Sequence, residues 1–404
     1  MKELFSLGDI YPSDFIRPNE TCHCAPVELN LIMDNAGLVR LANSAPQHIL
    51  WGDKYWYRSS TNNSMKKHLK NIVDSISNVR TILEGDIWID IASNDGYLLS
   101  CVPPYVTRIG IDPAGNSYQL ECSRHANIVI PDYFSADIFI RSEYGNRKAN
   151  IITSIAMFYD VDKPDMFIKD VAKILDNDGL WVLQLSYTPL MLQQLAFDNI
   201  CHEHKYYYSL FNLKKLLNDN GFQIMDCELN NCNGGSFRVY AMKHNADVKK
   251  FASQTNRDVG NYRVNSLLEY EKTLKLDDKN TWRVFFNEIN NLKMQVVQFI
   301  TQEKEKGKLI WAYAASTKGN TLLQYFGLDN NLITGIADCD TNKWGLKTIG
   351  TNIPIYSERE MREARPDYLL ILAWHYLSEF MDREKEYRNS GGRFIVPCSK
   401  FQII

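Results

Sequence analysis

Three adjacent titratable residues, His202, Glu203 and His204, lie in the stretch FDNICHEHKYYYSL (197–210), and three tyrosines follow them at 206–208. Histidine titrates near neutral pH, and a neighbouring carboxylate can orient its ring and raise its basicity. Tyrosine hydroxyls can donate hydrogen bonds to an oxyanion. These residue types in this order therefore suit the removal of a proton from a carbon next to a carbonyl group.

Two other interpretations of this stretch stay open. In a strand, His202 and His204 would lie on the same face and share a metal ion, but a third ligand would have to come from elsewhere. No H-E-x-x-H pair is present to supply one. Alternatively, the histidines only form hydrogen bonds in a polar loop. We favour proton transfer over both interpretations.

The stretch DIASNDGYLL (90–99) continues the apolar run IWIDIA into a turn of small and polar residues. Small residues let the backbone approach a ligand closely, and polar residues offer it hydrogen bonds. Asp112 ends the next apolar run, RIGID, where an acid can accept both hydroxyls of a ribose. The stretch resembles the first motif of S-adenosylmethionine-dependent methyltransferases. A nicotinamide dinucleotide is the competing ligand, but the G-x-G-x-x-G spacing for its pyrophosphate is absent.

Apolar runs that alternate with helical patterns predict parallel sheets in two regions of the chain. Between these regions, 247–308 is charged, nearly free of proline and glycine, and apolar at every third or fourth position, which predicts long helices. The predicted strands are IWIDIA, RIGID, ANIITSI and GLWVLQLS in the first region and LIWAYAAS, LITGIADCD, DYLLILAW and RFIVPC in the second. This α/β pattern is typical of two Rossmann-like domains.

The composition excludes several classes of protein. A chain of 404 residues is long enough for two or three domains, and a net charge of −3 provides no field that would attract nucleic acid. No stretch approaches the ~20 apolar residues that span a membrane, and the amino terminus lacks the pattern of a signal peptide. Nine scattered cysteines show no disulfide framework. We therefore expect a cytoplasmic protein that binds neither nucleic acid nor membranes.

Four stretches resemble, in order and over nearly the whole chain, the motifs of one family, the nucleotide-deoxysugar C-methyltransferases. FDNICHEHKYYYS is similar to the family's active-site segment. The other matches are KYWYRSSTNNSM (54–65) to its aromatic entry segment, NCNGGSFRVY (231–240) to its substrate motif and YAASTKGNTLLQYFG (313–327) to the signature of its carboxyl-terminal domain. The resemblance implies methyl transfer from S-adenosylmethionine to a sugar carbon beside a ketone in a nucleoside-diphosphate keto-deoxysugar, through an enolate formed by a base.

The resemblance also implies roles for individual residues. His204 would be the base, Glu203 its polar neighbour, and His202 and Tyr207 would line the keto-sugar. The residues expected to bind the cofactor are Asp90, Ala92, Asn94, Asp95, Gly96 and Asp112. The residues expected to bind the substrate are Tyr55, Tyr57, Asn233, Gly234, Ser236, Arg238 and Lys318. Two alternatives stay open. Arg238 would form a structural ion pair instead, and Lys318 would lie at the surface in the first turn of a helix.

One departure from the family's pattern lies next to the H-E-H residues. Many members of the family have a tyrosine at the position that Cys201 occupies here. A phenol that contributes at that position must therefore be absent or replaced, and Tyr206 is the nearest substitute. The departure puts that single role in doubt and leaves the base itself unaffected.

The second departure concerns the zinc-binding lobe that the family carries at its amino terminus. Met33 and Ala36 stand where a pair of cysteines is expected, and only Cys22, His23 and Cys24 remain. Ligands that are adjacent or two residues apart cannot complete a tetrahedral site without partners. We therefore expect no zinc and a lobe that keeps its shape without metal.

The alternation of predicted strands and helices and the resemblance to the C-methyltransferase family together divide the chain into four parts. They are an amino-terminal lobe of degenerate zinc-binding type (1–60), an S-adenosylmethionine-binding methyltransferase domain (61–246), a helical connector (247–308) and a Rossmann-like substrate domain (309–404). Two alternative functions stay open. One is a methyltransferase for another carbon acid or a hydroxyl group, and the other is a non-catalytic protein that binds a nucleotide sugar or S-adenosylmethionine. The sequence does not set the oligomeric state.

Overall fold

The computed structural model describes residues 1–21, 24–51 and 55–404. The chain forms two compact units, each assembled from separate stretches of sequence. Unit 1 comprises Met1–Pro46, Thr188–Lys205 and Leu276–Ile404, and unit 2 comprises Gln47–Tyr187 and Tyr206–Lys275. The H-E-H residues therefore belong to unit 1 and the turn after Asp90 belongs to unit 2.

The helices and strands are numbered along the chain. The strands are β1 (Lys2–Ile10), β2 (Phe15–Ile16), β3 (Val27–Met33), β4 (Val39–Leu41), β5 (Ile87–Ile91), β6 (Thr107–Ile111), β7 (Ile128–Ile130), β8 (Ala149–Ile155), β9 (Leu175–Ser186), β10 (Tyr206–Tyr207), β11 (Phe222–Asn230), β12 (Ser236–Lys243), β13 (Ile310–Tyr313), β14 (Ile336–Asp338), β15 (Lys347–Thr348), β16 (Ile355–Ser357), β17 (Tyr368–Ile371), β18 (Arg393–Val396) and β19 (Gln402–Ile403). The α-helices are α1 (Gln47–Leu50), α2 (Asn63–Val79), α3 (Tyr97–Cys101), α4 (Asn116–Cys122), α5 (Ala136–Ile140), α6 (Pro164–Ile174), α7 (Thr188–Gln193), α8 (Leu210–Asp219), α9 (Gln254–Leu274), α10 (Lys279–Glu305), α11 (Thr317–Phe326), α12 (Glu358–Ala364), α13 (Leu377–Arg383) and α14 (Lys385–Asn389). Short 3₁₀ turns lie at Phe158–Asp160, Phe197–Asn199, Cys232–Gly234, Val248–Lys250, Thr341–Lys343 and Trp374–Tyr376.

Unit 2 contains a doubly wound sheet whose strands lie in the order β11-β12-β9-β8-β5-β6-β7. Strands β5 to β9 run parallel, and β12 joins them antiparallel beside β9. Every residue of the central β5 is buried, as expected for a strand that is covered on both faces. The carboxyl ends of the parallel strands therefore meet at one edge of the sheet, where ligands bind in folds of this kind.

Helix α2 covers one face of this sheet because its apolar residues recur every three or four positions. Its buried residues are Met65, Leu69, Ile72, Val73 and Ile76, and they share a core with Trp88 and Val182 of the sheet. Asn62 begins the helix, since its side chain accepts a hydrogen bond from the backbone of Ser64. This packing brings His68 and Asn71, on the same helix, against polar side chains of the sheet.

Unit 1 contains a second sheet, with the order β16-β14-β13-β17-β18-β19, in which only β19 runs antiparallel. The prediction of a second Rossmann-like sheet is therefore confirmed. After β13 the chain turns into α11, whose cap is Ser316: its hydroxyl accepts a hydrogen bond from the backbone of Gly319 at 3.0 Å. The helix ends at Gly327, which has a left-handed φ of 71°.

The amino-terminal stretch of unit 1 forms an antiparallel sheet in which β3 pairs with both β1 and β4. Helix α10 packs on β1, where the rings of Phe5 and Phe286 stack with centroids 4.7 Å apart. Helices α9 and α10 are the long helices that the spacing of apolar residues predicts between 247 and 308. The division into four parts stays a prediction. In the described ranges, no helix is long and apolar enough to cross a membrane.

Candidate functional site

A cavity of about 250 Å³ lies in unit 2 at the carboxyl ends of β5, β6 and β8. Ala92 follows β5, Asp112 follows β6 and Ala156 follows β8, and each of them lines this cavity. Tyr55 and Tyr57 line it from the amino-terminal side of α2. The lining is mainly apolar with a few convergent polar groups, which is typical of a site for a small ligand. We call it the donor cavity.

Asp112 is one of the carboxylates that line the donor cavity. Its Oδ2 accepts the backbone N–H of Asn94 and its Oδ1 accepts that of Ala114, both at 2.7 Å. Each carboxylate oxygen keeps a lone pair for a further hydrogen bond. Burial raises the pKa of Asp112, and the two backbone hydrogen bonds oppose this shift. The carboxylate is thus fixed in place with two acceptor positions left, which fits the two hydroxyls of a ribose.

The turn from Ala92 to Gly96 is held in a compact form. Ala92 and Asn94 have left-handed φ values of 60° and 52°, and both line the donor cavity. Asp95 does not line this cavity; its Oδ2 accepts the backbone N–H of Ser60 at 2.8 Å. A Cβ on Gly96 would lie 2.7 Å from the Cα of Cys122, so this glycine permits close packing against α4. Of the predicted cofactor residues, Asp95 and Gly96 therefore hold the shape of the turn and do not line the donor cavity.

The aromatic segment around Tyr55 and Tyr57 is tied to this turn. Asn94 donates to the carbonyl oxygen of Tyr57 at 3.0 Å, and the hydroxyl of Tyr118 donates to that of Tyr55 at 2.5 Å. Burial raises the pKa of the Tyr55 phenol, and the nearby Asp160 and Asp112 raise it further. The structure thus brings two predicted substrate residues into the cavity of the predicted cofactor residues. Lys54, the first residue of this motif, lies outside the described residues.

Asp90 lies below the turn, next to a second cavity of about 50 Å³, which we call the side cavity. Its carboxylate accepts a hydrogen bond from the Thr153 hydroxyl at 2.6 Å. Burial raises the pKa of Asp90 to about 7, and the charge of Asp112 adds to the shift while the Thr153 bond opposes it. Burial therefore favours the neutral form of the Asp90 carboxyl.

The predicted N-G-G-S motif forms a tight turn before β12. Asn233 has a left-handed φ of 53° and lines the side cavity, while Gly234 has a φ of 86°. The hydroxyl of Ser236 donates to the carbonyl oxygen of Cys232 at 2.9 Å and closes the turn. Of these three predicted substrate residues, Asn233 alone lines either of the two cavities.

Arg238 is almost completely buried and already has partners. Its guanidinium lies 3.6 Å from the Glu228 carboxylate, and it donates to Asn71 at 3.2 Å and to Gln184 at 3.4 Å. The ion pair that the sequence left open as an alternative is therefore present. Gln184 also lies 2.7–2.9 Å from Nε2 of His68, whose pKa is lowered to about 4 by burial and by the charge of Arg238.

In unit 1, His202 points to the end of β1. Its Nε2 donates to the carbonyl oxygen of Ile10 at 2.9 Å, and its Nδ1 is buried without a hydrogen-bond partner among the described residues. Burial lowers the pKa of His202 to about 4, so this ring is neutral at pH 7. His202 therefore connects the H-E-H stretch to the amino-terminal sheet, and a role in lining the sugar stays a prediction.

Glu203 lies next to Cys201, the residue that departs from the family's pattern. Burial raises the pKa of Glu203 to about 7, and hydrogen bonds from its own backbone N–H and from the Cys201 thiol oppose this shift. Cys201 therefore supplies a donor to the carboxylate. Tyr206, the substitute considered for the missing phenol, instead donates to the carbonyl oxygen of Asp162 at 3.4 Å.

His204 is under the influence of a lysine from α11. Burial lowers its pKa to about 3, the charge of Lys318 lowers it further, and a hydrogen bond with the backbone of Asn199 opposes the shift. Lys318 stands in the first turn of α11, directly after the Ser316 cap and Thr317. Lys318 is half-buried in the first turn of α11, and its charge acts on the buried His204. Its role in binding the substrate stays a prediction.

Asp198 is a candidate functional residue that the sequence analysis did not assign. It is fully buried, and its Oδ2 accepts the indole N–H of Trp374 at 2.9 Å. Burial raises the pKa of Asp198, whereas the charge of Lys318 lowers it. Lys318 also lowers the pKa of His375, after burial. We call His204, Asp198, Lys318, Trp374 and His375 the lysine cluster. The sequence signal that could have identified Asp198 was its position inside the stretch FDNICHEH.

A metal site is not evident in the described ranges, where no three His, Cys, Asp or Glu side chains lie together in a suitable arrangement. Cys22 and His23 lie outside the described residues, and the side chain of Cys24 is half-buried. Tyr207 is buried in unit 2. The expectation of a lobe without zinc stays a prediction.

Two family models match this chain. A methyltransferase domain matches residues 64–226, and a C-methyltransferase C-terminal domain matches residues 231–398. A curated relative, C-methyltransferase NovU of Streptomyces niveus, is 28% identical over 368 residues, which cover 91% of this chain and 85% of the relative. The two family models include most of the lining of the donor cavity, the H-E-H stretch and α11.

Two similar solved structures each match less than half of this chain. A complex of the Haloferax volcanii Trm112 methyltransferase activator and a putative methyltransferase has a TM-score of 0.36 and 11% identity, covering 45% of this chain and 94% of that chain. Magnesium protoporphyrin IX methyltransferase from Synechocystis PCC 6803 with bound SAM has a TM-score of 0.32 and 13% identity, covering 44% of this chain and 79% of that chain.

Proposed function

Since this chain belongs to the S-adenosylmethionine-dependent C-methyltransferases, we propose that it methylates a sugar carbon next to a ketone in a nucleoside-diphosphate keto-deoxysugar. The observation that carries the proposal is the lysine cluster, in which Lys318 and His204 are coupled electrostatically. A cation at a helix start suits a diphosphate, and a neutral imidazole beside it suits proton removal. The acceptor would therefore carry both a diphosphate and an acidic carbon.

The donor cavity fits the nucleoside of S-adenosylmethionine. Asp112 keeps two acceptor positions for the ribose hydroxyls, and Ala92 leaves the backbone of the turn accessible. When bound, S-adenosylmethionine would supply its methyl group to a carbanion, with the neutral thioether S-adenosylhomocysteine as the leaving group, so no metal is required for this step. Asp90 and Asp112 provide negative charge for the sulfonium.

The base that we propose is His204, with Glu203 as its polar neighbour. In the free protein His204 is neutral but weakly basic, because burial and the charge of Lys318 keep its pKa at about 3. An anion bound at Lys318 would offset that charge and raise the pKa of His204. The ring would thus become a stronger base when the substrate is present. Glu203, with a pKa of about 7, can exchange protons near neutral pH.

The nucleotide diphosphate would bind at the start of α11. The first backbone N–H groups of a helix and a lysine ammonium together suit phosphate oxygens. The helix has ten residues, and Ser316 caps it. Arg238 supports this part of the proposal less, because Glu228, Asn71 and Gln184 already surround it.

The test is to incubate the protein with methyl-labelled S-adenosylmethionine and a panel of nucleoside-diphosphate 4-keto sugars and to analyse the products by mass spectrometry. The proposal requires a gain of one methyl group on carbon in at least one sugar. A label that is found only on oxygen would support the hydroxyl alternative. Binding of the donor without turnover of any keto-sugar would support the non-catalytic alternative. Either result would overturn the proposal.

A further inference from the structure

Two side chains of the lysine cluster each have a buried polar atom without a hydrogen-bond partner among the described residues. These atoms are Oδ1 of Asp198 and Nδ1 of His375. Buried polar atoms in folded proteins are nearly always paired with protein groups or with ordered water. The proposed reaction uses neither side chain, although both belong to unit 1 together with the proposed base. The two atoms are therefore available to a water molecule or to a proton.

Contacts connect Asp198 to the proposed base on one side and to His375 on the other. Its Oδ2 accepts the indole N–H of Trp374 at 2.9 Å, and the ring centroids of Trp374 and His375 lie 5.7 Å apart. The residue after Asp198, Asn199, provides the backbone group that bonds the His204 ring. Asp198 is fully buried, whereas His375 is half-buried, so part of His375 is exposed to solvent. A path from the base through Asp198 thus ends at the surface.

The proton that His204 removes has to leave its ring. Methyl transfer replaces a C–H bond by a C–CH₃ bond and releases one proton, because the charges of the carbanion and the sulfonium cancel. Burial and, after it, the charge of Lys318 lower the pKa of His204 to about 3. A buried imidazolium beside an ammonium is therefore unfavourable. His204 must pass its proton on before the next turnover.

Asp198 is a carboxylate that is suited to take this proton. The groups that contact it or act on it are the Lys318 ammonium of α11, the Trp374 indole and the Cys398 thiol after β18. Burial raises the pKa of Asp198, and the charge of Lys318 and the hydrogen bond from Trp374 lower it. A diphosphate bound at Lys318 would offset that charge and raise the pKa of Asp198. The carboxylate would then accept a proton more readily when the substrate is present.

We propose that Asp198 receives the proton from His204 through a water molecule and that His375 passes it on to solvent. The C–H bond of the sugar breaks, its proton binds a ring nitrogen of His204, and the carbon takes the methyl group as the neutral thioether leaves. The proton then moves to Asp198, and His375 accepts it at Nδ1 and releases one from its other ring nitrogen. His204 returns to its neutral form. The inference rests on the proposed function, since it assumes that His204 is the base.

The test compares the first turnover with the later ones. Asp198→Asn keeps the size of the side chain and an oxygen for the Trp374 indole, but it cannot take a proton. In rapid-quench experiments with labelled S-adenosylmethionine and a keto-sugar that the protein methylates, the first turnover should stay within about threefold, because His204 still removes the proton. Steady-state turnover should fall about tenfold or more. Deuterium exchange at the sugar carbon, in D₂O with S-adenosylhomocysteine, should fall equally. A first turnover that slows as much as the steady state would overturn the role of Asp198.

His375→Ala tests the last step of the path. Because the side chain is half-buried, its removal leaves a place that a small base can enter from solvent. Exchange should fall about tenfold, and added imidazole should restore it. His244→Ala, at an exposed position, is the matched control and should exchange at the unchanged rate with and without imidazole. An unchanged rate in His375→Ala, or a loss that imidazole does not restore, would overturn the role of His375.

The outcomes separate this inference from the proposed function. If the unchanged protein neither methylates nor exchanges any keto-sugar, the proposed function fails and the inference fails with it. If the unchanged protein does both, and Asp198→Asn and His375→Ala match its steady-state and exchange rates, only the proton path is overturned. Slower exchange with an unchanged first turnover in Asp198→Asn supports the inference.

Discussion

The donor cavity of unit 2 and the lysine cluster of unit 1 hold buried charge of opposite kinds. Asp112 lines the donor cavity and Asp90 lies next to it at the side cavity. The charge of Asp112 raises the pKa of Asp90, after burial, and both carboxylates accept hydrogen bonds from neutral donors. In the lysine cluster, burial raises the pKa of Asp198 and lowers that of His204, and the charge of Lys318 lowers both. One site offers negative charge and the other positive charge.

The difference matches the two ligands of the proposed reaction. A sulfonium donor is a cation and is stabilised by the carboxylates of the donor cavity. A nucleoside diphosphate is an anion and is stabilised by an ammonium at a helix start. Each site would repel the ligand of the other. The predictions below separate the two sites, because each substitution should affect one ligand and leave the other unchanged.

The largest effect is expected for His204→Ala, which removes the proposed base. Methyl transfer should slow by about 10²–10⁴-fold, the usual contribution of a general base. The affinity for S-adenosylhomocysteine, measured by calorimetry, should stay within twofold. His244→Ala, at an exposed position, is the matched control and should keep full activity. Methyl transfer by His204→Ala at the unchanged rate would refute this base.

Asp112→Asn should weaken the binding of S-adenosylhomocysteine by about 10- to 100-fold, because hydrogen bonds to a charged group are worth about 1.5–3 kcal/mol. The KM for the nucleotide sugar should change little. Asp74→Asn, an exposed acid that pairs with Lys70, serves as control. Urea unfolding of both variants shows whether the fold is retained. If Asp112→Asn raises only the KM for the sugar, the assignment of the two sites is reversed.

Lys318→Met should raise the KM for the nucleotide sugar about tenfold, the loss expected for one charge-assisted contact to phosphate. It should leave the affinity for S-adenosylhomocysteine unchanged. Burial and, after it, the charge of Lys318 lower the pKa of His204 from its ordinary value of 6.5 to about 3, so the pKa of His204 should rise in this variant. NMR titration of the histidines measures that shift. Lys318→Arg should restore most of the binding, and an unchanged KM in Lys318→Met would contradict a phosphate site.

The smallest effect is expected for Cys201→Ala. The Cys201 thiol lowers the pKa of Glu203, so its removal should raise that pKa further above about 7. The acidic limb of the pH–rate profile should then move to higher pH, while the maximal rate falls less than about tenfold, since one hydrogen bond of this type is worth about 0.5–1.5 kcal/mol. A profile that stays in place would show that the thiol does not act on the reaction.

The elements that could be predicted from sequence are those with a local pattern. β5 and β13 are fully buried strands, and their sequences, IWIDI and IWAY, are apolar except for Asp90. Asp112 could be assigned because an acid at the end of such a strand lies at the ligand-binding edge of the sheet. In each case the residues that determine the structure are adjacent in sequence or spaced by the helical repeat.

The parts that could not be predicted depend on residues far apart in the chain. Gln184 and His68 are separated by 116 positions, and only the packing of α2 on the sheet brings them together. Asp198 and Trp374 are 176 positions apart, so nothing near Asp198 indicates its partner. The depressed pKa of His204 likewise follows from burial and from Lys318, neither of which is visible in the motif itself.

The central claim is that His204 removes a proton from the carbon that receives the methyl group. The most direct measurement is deuterium exchange at that carbon, in D₂O with S-adenosylhomocysteine and without a methyl donor, followed by mass spectrometry. The unchanged protein should incorporate one deuterium or more, and His204→Ala should incorporate none above the uncatalysed rate. Exchange by His204→Ala at the rate of the unchanged protein, or methylation on carbon without any exchange in the unchanged protein, would contradict the claim.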